Sequence, residues 1–125
     1  MAKDIDTRQD IELLVNQFYE KVKVDTRIGF YFTKVMTVDW TKHLPIMYEF
    51  WENVLFHTDG YSGNPMQKHQ AIHAKSAFNS NHFKQWTFLF NETVDELFSG
   101  VNAEKIKDRA QNISTVMQVK ILKKE

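Results

Sequence analysis

The sequence contains no cysteine, which excludes disulfide scaffolds, thiolate metal sites, iron–sulfur clusters and thiol catalysis. It has only two prolines and four glycines in 125 residues. No apolar run approaches the length of a membrane span, and the N-terminus lacks the apolar region of a signal peptide. We therefore expect a cytoplasmic protein in a reducing compartment, with no membrane partner.

Neither sign of charge is in excess, because sixteen Lys and Arg balance sixteen Asp and Glu. This balance gives no reason to expect a nucleic-acid partner. The length predicts a single domain, residues 1–125, that buries roughly two thirds of its unfolded surface. Aromatic side chains are plentiful, with ten Phe, four Tyr and three Trp, and they can fill a core or line a site for a flat apolar cofactor.

Four segments carry apolar residues at helical spacing and none alternates convincingly at strand spacing, so the sequence predicts an all-α fold. We expect the third helix to end at Gly100. The short aromatic run at 28–32 is more typical of a tight helical corner than of a strand. The expected caps or first residues of the four helices are Asp6 or Thr7, Asp39, Ser80 or Asn81, and Asn102.

Pro45 lies inside the second helix, removes one backbone hydrogen bond and is expected to kink or loosen its first turns.

The inner faces of these helices are also predicted by the spacing. The residues expected to face inward are Ile11, Leu14, Val15, Phe18 and Val22; Trp40, His43, Leu44, Met47, Phe50, Trp51, Val54 and Leu55; Phe83, Trp86, Thr87, Phe90, Val94, Leu97 and Phe98; and Ile106, Ala110, Ile113, Met117 and Ile121.

A short helix between the second and third helices is expected to aim a histidine inward. Asn64 suits the cap and Pro65 the first helical position, so His69 follows about one turn later on a stiff backbone. Ile72 lies near it on the inner side. His73 lies four residues after His69, and the two could bind a metal from one helix face, but no acidic residue between 64 and 82 completes such a site.

Three polar side chains are expected at inner edges of other helices: Tyr19, His43 and Trp86. Each also has a simpler interpretation as a boundary residue, with the Tyr19 hydroxyl in water and His43 bonded to backbone. Together with the inward His69, they instead favour a haem pocket with a ligating side and a ligand-binding side. Phe83, Trp86 and Phe90 are its expected walls.

Several motifs together resemble one family over residues 11–117. The resemblance is to the truncated haemoglobins, most of all to group III, and it implies a shortened globin fold with two helices stacked over two around one haem b. The motifs are Phe18-Tyr19, Asp25-x-x-Ile28-Gly29-x-x-Phe32, Trp40-x-x-His43-Leu44, Phe50-Trp51, Tyr61-x-Gly63-x-Pro65-x-x-x-His69, His82-Phe83-x-x-Trp86 and Arg109-Ala110.

The resemblance also implies roles for individual residues. His69 matches the proximal iron ligand, and Tyr19 with Trp86 matches the distal hydrogen-bonding pair. His43 matches the distal gate. Phe32 matches the aromatic residue on the haem face, and Met47 matches a distal apolar residue, although it could equally be plain core. The candidate partners of the haem propionates are His73, Lys75 and His82.

The expected ligands are dioxygen, nitric oxide, carbon monoxide or peroxide. Because the phenol of Tyr19 and the indole of Trp86 both donate hydrogen bonds, such a pocket favours dioxygen and retains it. Retention suits nitric oxide oxidation or peroxidase-like chemistry, supported by an unidentified reductase, better than oxygen delivery. Simple gas binding, a haem-based sensor and a haem-free globin-like interaction domain are the alternatives.

Overall fold

The computed structural model describes residues 2–35, 38–57, 69, 72–73 and 78–122. Over these ranges the chain forms four long helices and two short π-helical segments, and its one β pairing is an isolated bridge between Lys3 and Phe98. The helices are α1 (Arg8–Val24), α2 (Trp40–Phe56), α3 (Ser80–Leu97) and α4 (Val101–Met117), and the π-helical segments are Tyr31–Val35 and Gln118–Leu122.

Each of the four helices packs against two of the others. Helix α1 packs against α2 and α3, and α4 packs against α3 and α2. The predicted all-α fold is confirmed. The main core lies between these helices and contains, among others, Ile11, Leu14, Val15, Phe18, Val22, Trp51, Leu55, Phe90, Val94, Ile106 and Ala110.

Helix α1 begins where its local sequence predicts. Thr7 is the cap, and its side chain accepts a hydrogen bond from the N–H of Asp10, whose carboxylate in turn accepts from the N–H of Thr7. The predicted apolar face of α1 is buried, and Tyr19 is buried with it. Full burial of a side chain such as Phe18 contributes about 1.5–3 kcal/mol.

The corner after α1 is a close turn followed by a π-helical segment, as the aromatic run predicted. Asp25 ends α1, and its carboxylate accepts hydrogen bonds from the N–H groups of Arg27 and Ile28. A Cβ at Gly29 would lie 2.6 Å from the carbonyl oxygen of Asp25. Only glycine fits at this position, because the backbone passes too close to the carbonyl of Asp25 for a Cβ atom.

Helix α2 also begins at its predicted cap. The side chain of Asp39 accepts a hydrogen bond from the N–H of Thr41. The helix runs continuously through Pro45 to Phe56, and it ends at His57, whose backbone is left-handed with φ of 59°. The proline costs this helix one hydrogen bond without ending it.

The predicted cap of α3 is wrong. Ser80 is already the first helical residue and Asn81 the second, while Asn79 is extended and its side chain accepts from the N–H groups of Asn81 and His82. Nδ1 of His82 accepts the N–H of Asn79 at 3.1 Å, so the two side chains form a reciprocal capping box.

The junction between α3 and α4 also differs from the prediction. Helix α3 ends at Leu97, and α4 begins at Val101 rather than at Asn102. Gly100 caps α4 with φ of 145° and has no side chain to offer, so Asp4 supplies the acceptors, bonding the N–H groups of Asn102 and Ala103 at 2.9 and 2.8 Å. A Cβ at Gly100 would lie 2.5 Å from Cγ of Asp4.

We expect Asp4→Ala to lower the free energy of unfolding by about 0.5–2 kcal/mol, the usual range for loss of a helix cap. Partial burial alone would raise the pKa of Asp4, but the N–H groups of Asn102, Ile5 and Ala103 outweigh it and lower this pKa below 3.8. The cap is therefore present at neutral pH and is lost as pH falls through the folded pKa. Urea unfolding measures the change. Asp6→Ala, which removes an exposed carboxylate, is the control, and equal losses in both variants would contradict the capping role.

We expect His82 to make stability depend on pH below 6.5. Burial lowers its pKa from 6.5, so the folded chain binds fewer protons than the unfolded chain in that window. Its contribution is present above pH 6.5 and is lost as pH falls through the folded pKa. His82→Gln keeps an acceptor for the capping box and should flatten this dependence in urea unfolding. The control is His57→Asn, at an exposed histidine, which should keep the wild-type change of unfolding free energy with pH. If His82→Gln also keeps that change, the pH dependence belongs to a group other than His82.

Candidate functional site

Tyr19 lies at the centre of an aromatic group on the inner side of α1. It is 7% exposed, and its ring lies 5.9 Å from Phe32, 5.4 Å from Trp40 and 5.5 Å from His43. Burial raises the pKa of its hydroxyl, because the phenolate would lose hydration. The hydroxyl therefore stays protonated and remains a hydrogen-bond donor. The interpretation of Tyr19 as a boundary residue in water does not hold for its ring.

His43 contacts the same group from α2. Its ring is half-buried, lies edge-on to Tyr19, and lies 5.5 Å from Trp40, one turn earlier in the same helix. The ammonium group of Lys23 lies 4.3 Å from the centre of the Trp40 ring. This cation–π contact, which the sequence analysis missed, attaches the start of α2 to the end of α1.

Trp86 lies on α3 and is half-buried. Its ring is 5.8 Å from Phe18, 6.3 Å from Trp51 and 5.7 Å from Phe90. Tyr19 contacts the same Phe18 ring at 5.1 Å. Among the described residues, the two predicted donors are therefore joined through Phe18.

A polar contact next to Trp86 ties α3 to the end of α1. The side-chain amide of Gln85 donates to the carboxylate of Asp25 at 2.6 Å, and Arg27 donates to the amide oxygen of Gln85 at 2.9 Å. These bonds restrain the turn of α3 that carries Trp86. No local pattern in the sequence predicts these bonds, because Asp25 and Gln85 are 60 positions apart.

The predicted ligand His69 lies in a second aromatic group, centred on Phe78. The ring of Phe78 is 6.3 Å from His69, 5.8 Å from His73, 4.7 Å from Tyr31 and 5.5 Å from Phe83. Phe78 also packs against a small buried cluster formed by Phe83, Met117 and Ile121. His69 has helical backbone and a half-buried side chain. Its predicted cap, at Asn64 and Pro65, lies outside the described residues, as does Lys75.

Two histidines beside this group have defined tautomers. Nδ1 of His73 accepts the N–H of Phe78 at 2.8 Å, and Nδ1 of His82 accepts the N–H of Asn79. A nitrogen that accepts carries no proton, so each neutral ring is protonated at Nε2. His73 therefore has one nitrogen committed to backbone, which argues against the two-histidine metal site. Across the described ranges, no three His, Cys, Asp or Glu side chains converge as a metal site.

The remaining predicted cofactor contacts divide into two sets. Phe32, Met47 and Ile72 are half-buried and pack against the main core, so each keeps an accessible side. Phe83 and Phe90 are 7% and 0% exposed and are enclosed by the protein itself. Phe90 lies directly behind Trp86, and its own contact with a cofactor stays a prediction.

The arrangement fits a haem in its chemistry. Half-buried apolar side chains from several segments rest on one core and offer the apolar contact that a porphyrin takes. His69 supplies an imidazole, a usual axial ligand of haem iron, and Tyr19 and Trp86 supply donors in an apolar setting.

No helix of the described residues is long and apolar enough to cross a membrane.

Comparison with known proteins identifies the family of the chain. The model of the bacterial-like globin family matches residues 3–121. Group 3 truncated hemoglobin ctb of Campylobacter jejuni is 28% identical over 114 residues, which cover 89% of this chain and 87% of that protein. The crystal structure of group III truncated hemoglobin from Campylobacter jejuni matches with a TM-score of 0.85 and 28% identity, over 97% of this chain and 95% of that one. The chain therefore belongs to the bacterial-like globins, the truncated haemoglobins, and the predicted resemblance to group III is confirmed.

Proposed function

We propose that this chain binds one haem b through His69 and retains dioxygen next to Tyr19 and Trp86. Globins generally bind haem and small diatomic ligands, which supports the proposal. The observation that carries the roles of Tyr19 and Trp86 is that both rings contact the same buried ring, Phe18. The side chains that bear a phenol and an indole are thereby held around one apolar residue from two helices.

His69 is the proposed axial ligand. A neutral imidazole binds iron through one nitrogen, and contact with Phe78 limits the positions that its ring can take. When bound, haem supplies an iron that takes a diatomic ligand and can be oxidised or reduced. Phe32, Met47 and Ile72 would provide apolar contact to the porphyrin. His73 and His82 would offer their Nε2 protons to the propionates.

Tyr19 and Trp86 set the ligand preference that we propose. An indole N–H can only donate, and the buried phenol of Tyr19 stays protonated. Both donors stabilise a ligand that carries partial negative charge, as dioxygen does, far more than carbon monoxide. Because the surroundings are apolar, water competes weakly for these hydrogen bonds.

Retention of dioxygen suits reaction better than delivery. We propose that the reaction belongs to dioxygen, nitric oxide or peroxide chemistry, with a separate reductase returning electrons. His43 is the proposed gate, since its ring lies edge-on to Tyr19 and half-buried at the start of α2. Rotation of this side chain away from Tyr19 would open a path for the ligand.

We expect His69→Ala to lose haem or to require added imidazole for a wild-type absorption spectrum, because the variant lacks the axial nitrogen. The spectra of the oxidised, reduced and carbon monoxide-treated protein measure this. The matched control is His73→Ala, on the same short stretch, which keeps the axial nitrogen and should keep the wild-type spectrum, losing at most a propionate contact. A colourless wild-type protein from haem-replete cells would instead favour a haem-free interaction domain, and haem loss in His73→Ala alone would move the ligand to His73.

We expect Tyr19→Phe and Trp86→Phe each to raise the rate of dioxygen dissociation by about ten-fold to a hundred-fold, since a hydrogen bond to a charged acceptor contributes roughly 1.5–3 kcal/mol. Carbon monoxide dissociation should change much less. The double variant should depart from additivity, because the two donors share one ligand. Stopped-flow kinetics measures all four proteins.

Two further variants separate donation from gating. Tyr48→Phe removes a phenol that bonds Asn16 on the outer side of α1 and should leave dioxygen dissociation unchanged. His43→Ala should mainly speed ligand association. Wild-type dissociation rates in both Tyr19→Phe and Trp86→Phe would rule out retention by these side chains, and a six-coordinate ferrous spectrum that disappears in His43→Ala would make His43 an iron ligand instead of a gate.

A further inference from the structure

A buried phenol and an imidazole meet beside Phe78. Tyr31 is 4% exposed, and its hydroxyl oxygen lies 3.2 Å from Nδ1 of His82. The Tyr31 ring is enclosed by aromatic rings, with centroids 4.1 Å away at Phe30, 4.7 Å at Phe78 and 5.2 Å at His82. The proposed haem site makes no use of this phenol.

The direction of the Tyr31–His82 hydrogen bond follows from its neighbour. The backbone N–H of Asn79 donates to the same Nδ1 at 3.1 Å. Since a backbone N–H can only donate, Nδ1 is unprotonated, and the hydroxyl of Tyr31 is a second donor that shares the same lone pair in a three-centre hydrogen bond. Burial lowers the pKa of His82, which keeps the ring neutral and able to accept. The hydroxyl of Tyr31 is therefore already hydrogen-bonded to His82, a base that can accept its proton.

A short path of aromatic rings connects this pair to the proposed iron ligand. Tyr31 contacts Phe78 at 4.7 Å, and Phe78 contacts His69 at 6.3 Å. Two ring-to-ring steps therefore separate Tyr31 from His69. Electrons tunnel readily over such distances through packed aromatic side chains, and the enclosure of Tyr31 keeps solvent reductants away from its ring.

We propose that Tyr31 is a redox-active tyrosine, with His82 as its proton acceptor, that donates an electron toward the haem site when the protein reacts with hydrogen peroxide. This inference rests on the proposed function. Reduction of hydrogen peroxide to two waters takes two electrons and two protons; Tyr31 would supply one electron, a haem held by His69 would supply the other, and the solvent would supply both protons.

The proton of Tyr31 stays within the pair. As the electron leaves, the O–H bond of Tyr31 breaks and an N–H bond forms at Nδ1 of His82, which gives a neutral phenoxyl radical and an imidazolium. The N–H of Asn79 loses its acceptor in that state. To close the cycle, the reductase proposed above would supply two electrons through the haem site: one would replace the electron lost there, and the other would pass back through Phe78 to the phenoxyl radical. The proton then returns from His82 to the oxygen.

The first test mixes the haem-loaded protein with hydrogen peroxide, freezes it within seconds and records electron paramagnetic resonance. Wild type should show a neutral tyrosyl radical, and Tyr31→Phe should lose it. Tyr48→Phe, at a phenol hydrogen-bonded to Asn16, should keep it. Loss of the radical in Tyr19→Phe with retention in Tyr31→Phe would overturn the assignment.

The base is tested separately, by a spectroscopic property that a purely structural role would not change. Electron–nuclear double resonance in deuterated buffer should detect one exchangeable proton hydrogen-bonded to the phenoxyl oxygen. In His82→Gln this coupling should be weakened or lost, because the amide of glutamine cannot take the proton of the phenol, while the capping box of α3 persists. An unchanged coupling in His82→Gln would overturn the role of His82.

A second arm does not need peroxide chemistry. The purified full chain, wild type and Tyr31→Phe, is photo-oxidised with ruthenium tris-bipyridine and persulfate, and the tyrosyl radical is detected by its absorption. A radical dependent on Tyr31 in both arms supports the proposal. If the radical depends on Tyr31 only in the photochemical arm, electron transfer from Tyr31 to the haem site would be overturned. If it depends on Tyr31 in neither arm, the redox role of Tyr31 would be overturned. Failure of the proposed function is seen separately, as a purified protein without a haem spectrum.

Discussion

The buried ring of Phe18 is the contact on which the rest of the candidate site depends. It is 1% exposed and touches Tyr19 on its own helix and both Trp86 and Phe90 on α3. The core of the protein and the two proposed donors therefore share one set of contacts. Truncation of such a ring costs about 3–5 kcal/mol, so stability and donor placement are coupled at this position.

Polar contacts near the helix ends do a different task. Three such contacts are partly exposed: Lys23 over Trp40, Gln85 with Asp25, and Arg8 with Glu49 and Glu52. The last is an ion pair, and exposed ion pairs contribute only about 0–1 kcal/mol. Their effect is mainly on orientation. They restrain how α2 and α3 are rotated against α1, which decides where His43 and Trp86 lie relative to Tyr19.

The histidines of this chain show that residue type alone does not set a role. His43 contacts rings in the main core, His57 ends a helix in a left-handed conformation, and His73 accepts a backbone N–H. His82 both caps α3 and accepts the phenol of Tyr31. The roles of His73 and His82 follow from the donors that their rings meet, and of these donors the hydroxyl of Tyr31 comes from a distant segment.

The sequence by itself determined the features that depend on neighbouring residues. The caps at Thr7 and Asp39, the apolar faces of the helices and the inward positions of Tyr19, His43 and Trp86 follow from helical spacing and local hydrogen bonding, and the structure has them where they were predicted. The family could be identified from motifs spread over nearly the whole chain. The same motifs indicate His69 as the iron ligand, and that role stays a prediction.

Only the tertiary structure decided the features that join distant residues. By residue type, Asn79, Ser80 and Asn81 could each cap α3 equally well. In the structure Asn79 is the cap, next to Phe78, which packs against the cluster of Phe83, Met117 and Ile121. Asp4 caps a helix 98 residues away, and Tyr31 meets a histidine 51 residues away. The physical reason is that local propensity fixes which side of a helix is apolar, whereas the partner of a polar group depends on how whole helices are packed.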